Sequence, residues 1–183
     1  TLDEGEVKQL ANIRQAVATE EAYFDVIRHK TAALFAACTR LGAISADCAP
    51  ATVEQAATFG EIIGLCFQIR DDIFDYYDDE TIGKPTGNDL MEGKLTLPAI
   101  YALNHTNRTD VQTWVAHVKD STATPEEIKC LVDFTKCSGG IDYAHQRMEE
   151  LRKEAAQVLN AFPDEAVRRS LAAYLEYTID RKL

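Results

Sequence analysis

The sequence is poor in the residues that interrupt helices. Its 183 residues include nine glycines and five prolines. Together these make up about 8%, below the typical ~12% for globular proteins. Apolar types account for 46% of the chain, which is too many for a disordered protein. The composition therefore favours a helical, globular protein of one domain.

Positive charge is also scarce, since 19 basic residues face 30 acidic ones for a net charge of −11. Nucleic-acid-binding domains are usually basic, so the sequence pI of 4.8 argues against a nucleic-acid partner. The longest stretch without a charged residue is 95–107, and Pro98 interrupts it. A bilayer span needs about 20 apolar residues, and no signal peptide is visible. We therefore expect a cytoplasmic protein without a stable membrane anchor.

The five cysteines form no Cys-x-x-Cys pair, and their number is odd. Several lie in apolar helical runs, so we expect reduced core residues in a cytosolic protein. The chain begins at Thr1 without a methionine, at what looks like the edge of a helix. It is therefore expected to be part of a longer polypeptide.

Helical periodicity dominates the chain, and no stretch alternates as a strand does. The periodicity predicts helices over residues 4–18, 20–41, 53–78, 97–104, 110–119, 125–136, 141–161 and 164–180. Thr52 with Gln55 and Thr124 with Glu127 fit capping boxes at two of the helix starts. Residues 81–96 form one long irregular stretch, a kind of loop that is often functional. These features predict an all-α antiparallel helical bundle.

One predicted helix carries an unusual group of carboxylates. At 100° per residue, Asp71, Asp72 and Asp75 lie opposite a core face centred on Phe59. Gly64 lies on the acidic side, where it leaves that face bare of bulk. No lysine follows at i+4 to relieve the repulsion. Such carboxylates suit Mg²⁺, which prefers oxygen ligands and shares its shell with substrate phosphate. A solvated acidic face is the alternative.

Three lysines are candidates for binding the phosphate. Lys30 projects into an apolar stripe with Tyr23, Ile27 and Leu34, so it should face an acidic partner or an anionic ligand. A lysine that extends out of the stripe to solvent is the alternative. Lys84 and Lys94 lie in the irregular stretch, whose glycines let backbone approach a ligand. An ordinary flexible loop is the alternative there.

These residues resemble motifs of the trans-prenyl diphosphate synthases. FQIRDDIFD, from Phe67 to Asp75, is similar to the second aspartate-rich motif of that family. The segment beginning Lys30-Thr31 resembles the Lys-Thr motif of the family. The loop GKPTGNDLMEGKLTLP and the end YTIDRKL also match, in the order of the family. The resemblance covers essentially the whole chain and is closest in character to the bacterial medium- and long-chain members.

The resemblance implies an isoprenoid-synthase-like helical fold and a prenyltransferase activity. Mg²⁺ ions would hold the diphosphate of an allylic substrate as it ionises, and isopentenyl diphosphate would attack the resulting cation. Asp71 would be the principal metal ligand, supported by Asp72 and Asp75, with Asp89 further out. The resemblance also implies that three lysines contact the allylic diphosphate, namely Lys30, Lys84 and Lys94. Thr31 and Gln68 would lie near the developing cation.

The family also has a first aspartate-rich motif and a basic motif for isopentenyl diphosphate, and neither occurs before Lys30. The resemblance therefore implies that residues 1–183 are the C-terminal part of a polyprenyl synthase domain, truncated and inactive alone. Helices 4–41 resemble those of the family's homodimer interface. A non-catalytic accessory subunit or helical interaction module is the first alternative. The second alternative is a class I terpene cyclase or another metal–diphosphate lyase, which usually has a different second metal motif.

Overall fold

The computed structural model describes residues 2–13, 19–77, 86–162 and 164–181, and these residues form helices and turns without a strand. The all-α prediction is therefore confirmed. In chain order the helices are α1 (Leu2–Ile13), α2 (Glu20–Ile27), a π-helical turn (Arg28–Ala32, the π segment), α3 (Ala33–Ser45), α4 (Pro50–Phe74), α5 (Asn88–Met91), α6 (Leu97–Asn104), α7 (Thr109–Lys119), α8 (Pro125–Cys137), α9 (Gly140–Leu159) and α10 (Glu165–Asp180).

The chain divides into two compact units. Among the described residues, the first unit takes 2–6, 24–70, 147–162 and 164–181, and the second takes 7–13, 19–23, 71–77 and 86–146. The boundaries between the units fall within helices, and the one in α4 lies between Arg70 and Asp71. The expectation that residues 1–183 belong to one polyprenyl synthase domain stays a prediction.

In the first unit, the buried apolar side chains come mainly from α4 and α9. Phe59, Ile63 and Cys66 of α4 are at most 1% exposed, which confirms the predicted core face. Burial of the Cys66 thiol raises its pKa to about 12, because the thiolate would lose its hydration. In the second unit, α6 and α7 both contact α8, and their buried residues include Ile100, Val111 and Leu131.

Two predicted helix starts gave different results. Thr124 caps α8 with the predicted capping box, in which its hydroxyl accepts the Glu127 N–H at 3.2 Å. The Thr52 prediction was wrong, since α4 begins two residues earlier at Pro50. Proline is favoured in the first turn because its missing N–H would have no partner there.

The predicted helix over 20–41 continues to Ser45 but is interrupted by the π segment. The wider turn rotates everything after it by about a quarter turn relative to an α-helix. Leu34 accordingly leaves the predicted apolar stripe and is 53% exposed, although Tyr23 and Ile27 are buried. The stripe prediction was therefore wrong beyond Lys30.

The irregular stretch and the cysteines also need corrections. Residues 86–96 include the short helix α5, which the sequence did not predict. All five cysteines are free thiols, but the expectation of core positions holds for Cys66 alone. Cys48 is half-buried, and the other three are exposed: Cys38, Cys130 and Cys137. Apolar neighbours in sequence do not fix which face of a helix a small thiol occupies.

Candidate functional site

The acidic residues at the end of α4 are more buried than a solvated face would be. Asp72 is 4% exposed and Asp75 is 9% exposed, whereas Asp71 is half-buried. Removing a carboxylate from water is costly unless hydrogen bonds or charges compensate. The solvated-face alternative therefore does not describe Asp72 or Asp75, and each must be stabilised by other groups of the protein.

Asp72 receives a hydrogen bond from a tyrosine that lies 49 residues earlier in the chain. The Tyr23 hydroxyl, on α2, donates to Oδ2 of Asp72 at 2.6 Å. Tyr23 is itself only 7% exposed. Burial, with Asp72 beside it, raises the pKa of the Tyr23 hydroxyl well above its ordinary value. The phenol therefore keeps its proton and remains a donor to the carboxylate.

Asp75 is held by backbone groups at the start of α5. Its Oδ1 accepts the Asn88 N–H at 3.1 Å, and its Oδ2 accepts the Asp89 N–H at 3.0 Å. The Gly87 N–H donates to the Asp75 carbonyl at 2.7 Å. Gly87 has φ of +79°, and a Cβ there would lie 2.8 Å from Ile128 Cγ2. The left-handed conformation and the close packing both require glycine at this position.

The backbone bonds to Asp75 also position the segment that contains Asp89 and Lys94. These are the two other candidate site residues of the second unit that the structure describes. The Lys94 N–H donates to the Asp89 carbonyl at 2.8 Å. The Lys94 ammonium lies 3.7 Å from Oδ1 of Asp89 and forms an ion pair with Glu92. Lys94 is thus among carboxylates rather than isolated. Lys84, the other lysine predicted in this loop, lies outside the described residues.

Lys30, Thr31 and Gln68 belong to the first unit. Lys30 Nζ lies 3.1 Å from Oε1 of Glu6 on α1, and its side chain is 31% exposed. Of the two partners predicted for it, an acidic residue or an anionic ligand, the described structure contains the acidic residue. The Thr31 hydroxyl donates to Oε1 of Gln68 at 2.7 Å. The structure thus brings together two of the residues expected near the substrate.

Two glycines allow the neighbouring helices to approach the π segment closely. A Cβ at Gly5 of α1 would lie 2.6 Å from Cα of Lys30, and a Cβ at Gly64 of α4 would lie 2.5 Å from Cα of Ala32. Real Cβ atoms do not approach backbone so closely. The sequence suggested that Gly64 leaves the acidic side of α4 bare. That expectation was wrong, because the backbone of the π segment fills the space.

The donor set of the second unit suits a divalent cation that is only partly coordinated by protein. Asp71, Asp72 and Asp75 supply hard oxygen ligands, which Mg²⁺ prefers. Within the described ranges, however, no three acidic, histidine or cysteine side chains are grouped closely enough to hold a metal by themselves. Mg²⁺ commonly keeps water and binds substrate phosphate as further ligands. The residues therefore fit such a cation bound together with a phosphate ligand.

Sequence reasoning missed Tyr23 and Gly5. Tyr23 was assigned to an apolar stripe, although the hydroxyl of a buried tyrosine usually needs a partner. The group of carboxylates elsewhere in the chain was the available signal. Gly5 carried no local signal, because only the approach of another backbone shows why a helix needs glycine there.

The profile of the polyprenyl synthetase family matches residues 1–135. Octaprenyl diphosphate synthase of Escherichia coli (strain K12) is 33% identical over 179 residues, which cover 97% of this chain and 55% of that protein. The chain spans about half the length of the curated relatives it matches.

Solved structures agree with these relatives. The geranylgeranyl pyrophosphate synthase from Bacteroides thetaiotaomicron is 51% identical with a TM-score of 0.92, over 98% of this chain and 60% of that one. A polyprenyl synthase from Caulobacter crescentus, complexed with calcium and isoprenyl diphosphate, is 30% identical with a TM-score of 0.90. The match covers 100% of this chain and 56% of that one. No helix in the described part of this chain is long and apolar enough to cross a membrane.

Proposed function

We propose, from the premise that this chain belongs to the polyprenyl synthetase family, that the complete protein is a trans-polyprenyl diphosphate synthase. It condenses isopentenyl diphosphate with an allylic diphosphate. The observation that carries this proposal is the buried acidic end of α4, where Asp72 and Asp75 are at most 9% exposed. Three aspartates within five residues, two of them buried, supply the oxygen ligands that Mg²⁺ prefers.

Mg²⁺ is the proposed cation, and when bound it would make diphosphate a better leaving group. Asp71 is its principal protein ligand, supported by Asp72 and Asp75. The solved relative with calcium and isoprenyl diphosphate supports the pairing of a divalent cation with a diphosphate. Mg²⁺ should accordingly bind more tightly when diphosphate is present.

The lysines of this chain neutralise the diphosphate in the proposal. Lys30, Lys84 and Lys94 contact the allylic diphosphate. Lys30 and Lys94 have carboxylate partners at Glu6 and Glu92, which a diphosphate would replace or share. Since an exposed lysine–carboxylate pair is worth about 1 kcal/mol or less, such an exchange is energetically accessible.

Thr31 and Gln68 are the polar residues proposed near the developing positive charge. Their mutual hydrogen bond of 2.7 Å restricts the rotation of both side chains. The Thr31 hydroxyl donates its proton to Gln68, and the lone pairs of its oxygen can still face a positive charge. Fixed dipoles stabilise charge better than mobile ones, because they need no reorganisation during the reaction.

Residues 1–183 contain a single Asp-Asp-x-x-Asp sequence, at Asp71–Asp75. We therefore propose that the chain alone is inactive and that a second motif of this kind lies elsewhere in the complete protein. We also propose that the complete protein acts as a homodimer. Sequencing the parent gene tests the second motif, and sedimentation tests the dimer. Turnover by the isolated 183 residues would contradict the first point.

The decisive test is Asp71→Ala in the complete protein. The metal is needed for ionisation, so turnover should fall by about 100-fold or more while the KM of both substrates changes little. Steady-state kinetics over a range of Mg²⁺ concentrations measures this. Gln55→Ala, a change on the same helix and far from the motif, is the control. Near-normal turnover of Asp71→Ala would show that the site is assigned wrongly.

A further inference from the structure

We propose that Tyr23 is a positioning residue whose hydroxyl fixes the Asp72 carboxylate for metal binding. This proposal rests on the function proposed above. Tyr23 would not touch the metal or the substrate, and it would act through Asp72.

The contact between the two residues is short and shielded from water. The hydroxyl oxygen of Tyr23 lies 2.6 Å from Oδ2 of Asp72, within the range for a hydroxyl that donates to an ionised carboxylate. Tyr23 is 7% exposed and Asp72 is 4% exposed. Such charge-assisted bonds are roughly twice as strong as neutral ones, so this bond restricts the carboxylate to one orientation.

A phenol suits this task because it is neutral. A lysine in its place would cancel the charge of Asp72 and compete with a cation for the carboxylate. One phenol O–H occupies only one of about four lone-pair sites on a carboxylate. Asp75 differs, because both of its oxygens accept backbone N–H groups. Asp72 therefore keeps its negative charge after the tyrosine has bound it.

The second unit contains a matched control in Tyr76. It is 1% exposed, and burial raises the pKa of its hydroxyl too. Its hydroxyl, however, is hydrogen-bonded to Thr96 Oγ1 at 3.5 Å, and among the described residues it has no hydrogen bond to an aspartate. Removing the Tyr76 hydroxyl measures the effect of losing a buried phenol O–H. Removing that of Tyr23 measures the same effect plus the loss of the bond to Asp72.

The experiment compares Tyr23→Phe with Tyr76→Phe in the complete protein. Mg²⁺ is titrated calorimetrically in the presence of inorganic pyrophosphate. Loss of a partner that orients a metal ligand typically weakens metal binding about 10–100-fold. We therefore expect at least about tenfold weaker Mg²⁺ binding for Tyr23→Phe, and a change within about twofold for Tyr76→Phe.

Kinetics gives a second readout. In Tyr23→Phe, turnover should fall at low Mg²⁺ and recover at high Mg²⁺, while the KM for isopentenyl diphosphate stays constant. A double-mutant cycle with Asp72→Asn completes the test, because residues that act through one another are not additive. Once Asp72 is Asn, adding Tyr23→Phe should change Mg²⁺ affinity no further.

Three results would overturn the proposal. They are unchanged Mg²⁺ affinity in Tyr23→Phe, equal losses in Tyr23→Phe and Tyr76→Phe, and fully additive effects of Tyr23→Phe and Asp72→Asn. A Tyr23→Phe protein that did not fold, beside a folded Tyr76→Phe protein, would also overturn the proposal, because the hydroxyl would then be needed for the fold itself. Failure of the proposed function is recognised separately, because the unmodified complete protein would then show no prenyl transfer, whereas failure of the site assignment would leave Mg²⁺ binding and turnover intact in Asp71→Ala.

Discussion

The π segment and the acidic end of α4 carry the two halves of the predicted chemistry, and they are built in different ways. The π segment is positioned by backbone packing against Gly5 and Gly64, where no side chain could fit. The acidic end is positioned by hydrogen bonds, from the Tyr23 hydroxyl to Asp72 and from two backbone N–H groups to Asp75.

The difference indicates how each region should respond to mutation. A region held by close backbone contact is sensitive to added volume, because the neighbouring backbone cannot move aside cheaply. A region held by hydrogen bonds to carboxylates is sensitive to the loss of a donor or acceptor, because a buried polar group is then left unpaired. Three pairs of variants test this contrast.

The largest effect is expected at Gly64. Gly64→Ala places a Cβ 2.5 Å from Cα of Ala32, so the helices must separate. We expect the free energy of unfolding of the complete protein to fall by about 2–3 kcal/mol, as measured by urea denaturation.

Gly42→Ala is the control for Gly64. Gly42 also lies within a helix, but a Cβ there meets nothing within 4 Å. Alanine is the better helix former, so stability should rise by roughly 0.5–1 kcal/mol. Equal effects of the two substitutions would show that close packing does not position the π segment.

An intermediate effect is expected at Asp75. Asp75→Asn keeps one acceptor oxygen but directs an NH₂ group at the other backbone N–H. The start of α5 should open more readily by about 1–3 kcal/mol. Hydrogen exchange of the Asn88 and Asp89 amides measures this opening without substrate or metal.

Glu92→Gln is the control for Asp75. Its carboxylate accepts from the side chain of Asn88 at 3.0 Å, whereas the Asn88 backbone N–H donates to Asp75. Exchange at the two amides should therefore stay close to that of the unmodified protein. Unchanged exchange in Asp75→Asn would show that the carboxylate does not hold this helix.

The smallest effect is expected at Thr31. Thr31→Val removes the donor to Gln68 while keeping the shape of the side chain, so stability should fall by about 1 kcal/mol. Thr135→Val is the contrasting variant, because the Thr135 hydroxyl is fully buried and has no hydrogen-bond partner among the described residues.

Replacing the Thr135 hydroxyl by a methyl group should leave stability unchanged or raise it, since the buried group has no bond to lose. Thermal unfolding of both variants, side by side, checks the prediction. A larger loss at Thr135 than at Thr31 would contradict it.

The sequence was sufficient to predict most of the helices and the family. The prediction of α6 over 97–104 matches the structure residue for residue. The apolar run there is delimited by a proline at its start and a polar residue at its end. The capping box at Thr124 was also predicted correctly. Such features depend on neighbours in sequence, which a linear reading contains.

The features that were missed depend on contacts between distant residues. The bond from Tyr23 to Asp72 joins positions 49 apart, and the need for glycine at position 5 arises from Lys30. The π segment has no distinctive composition, so the exposure of Leu34 could not be deduced at a uniform 100° per residue. The roles of Lys30, Thr31, Lys84, Lys94, Gln68 and the aspartates in binding stay predictions.

The π segment also has a consequence for changes in chain length. A π turn holds one residue more than an α turn, so deleting one residue from Arg28–Ala32 would let the segment close into an ordinary α-helix. Every residue of α3 would then swing round the helix axis by about 100°. Aligned relatives that lack one residue here should therefore present a different face of α3 at each matched position.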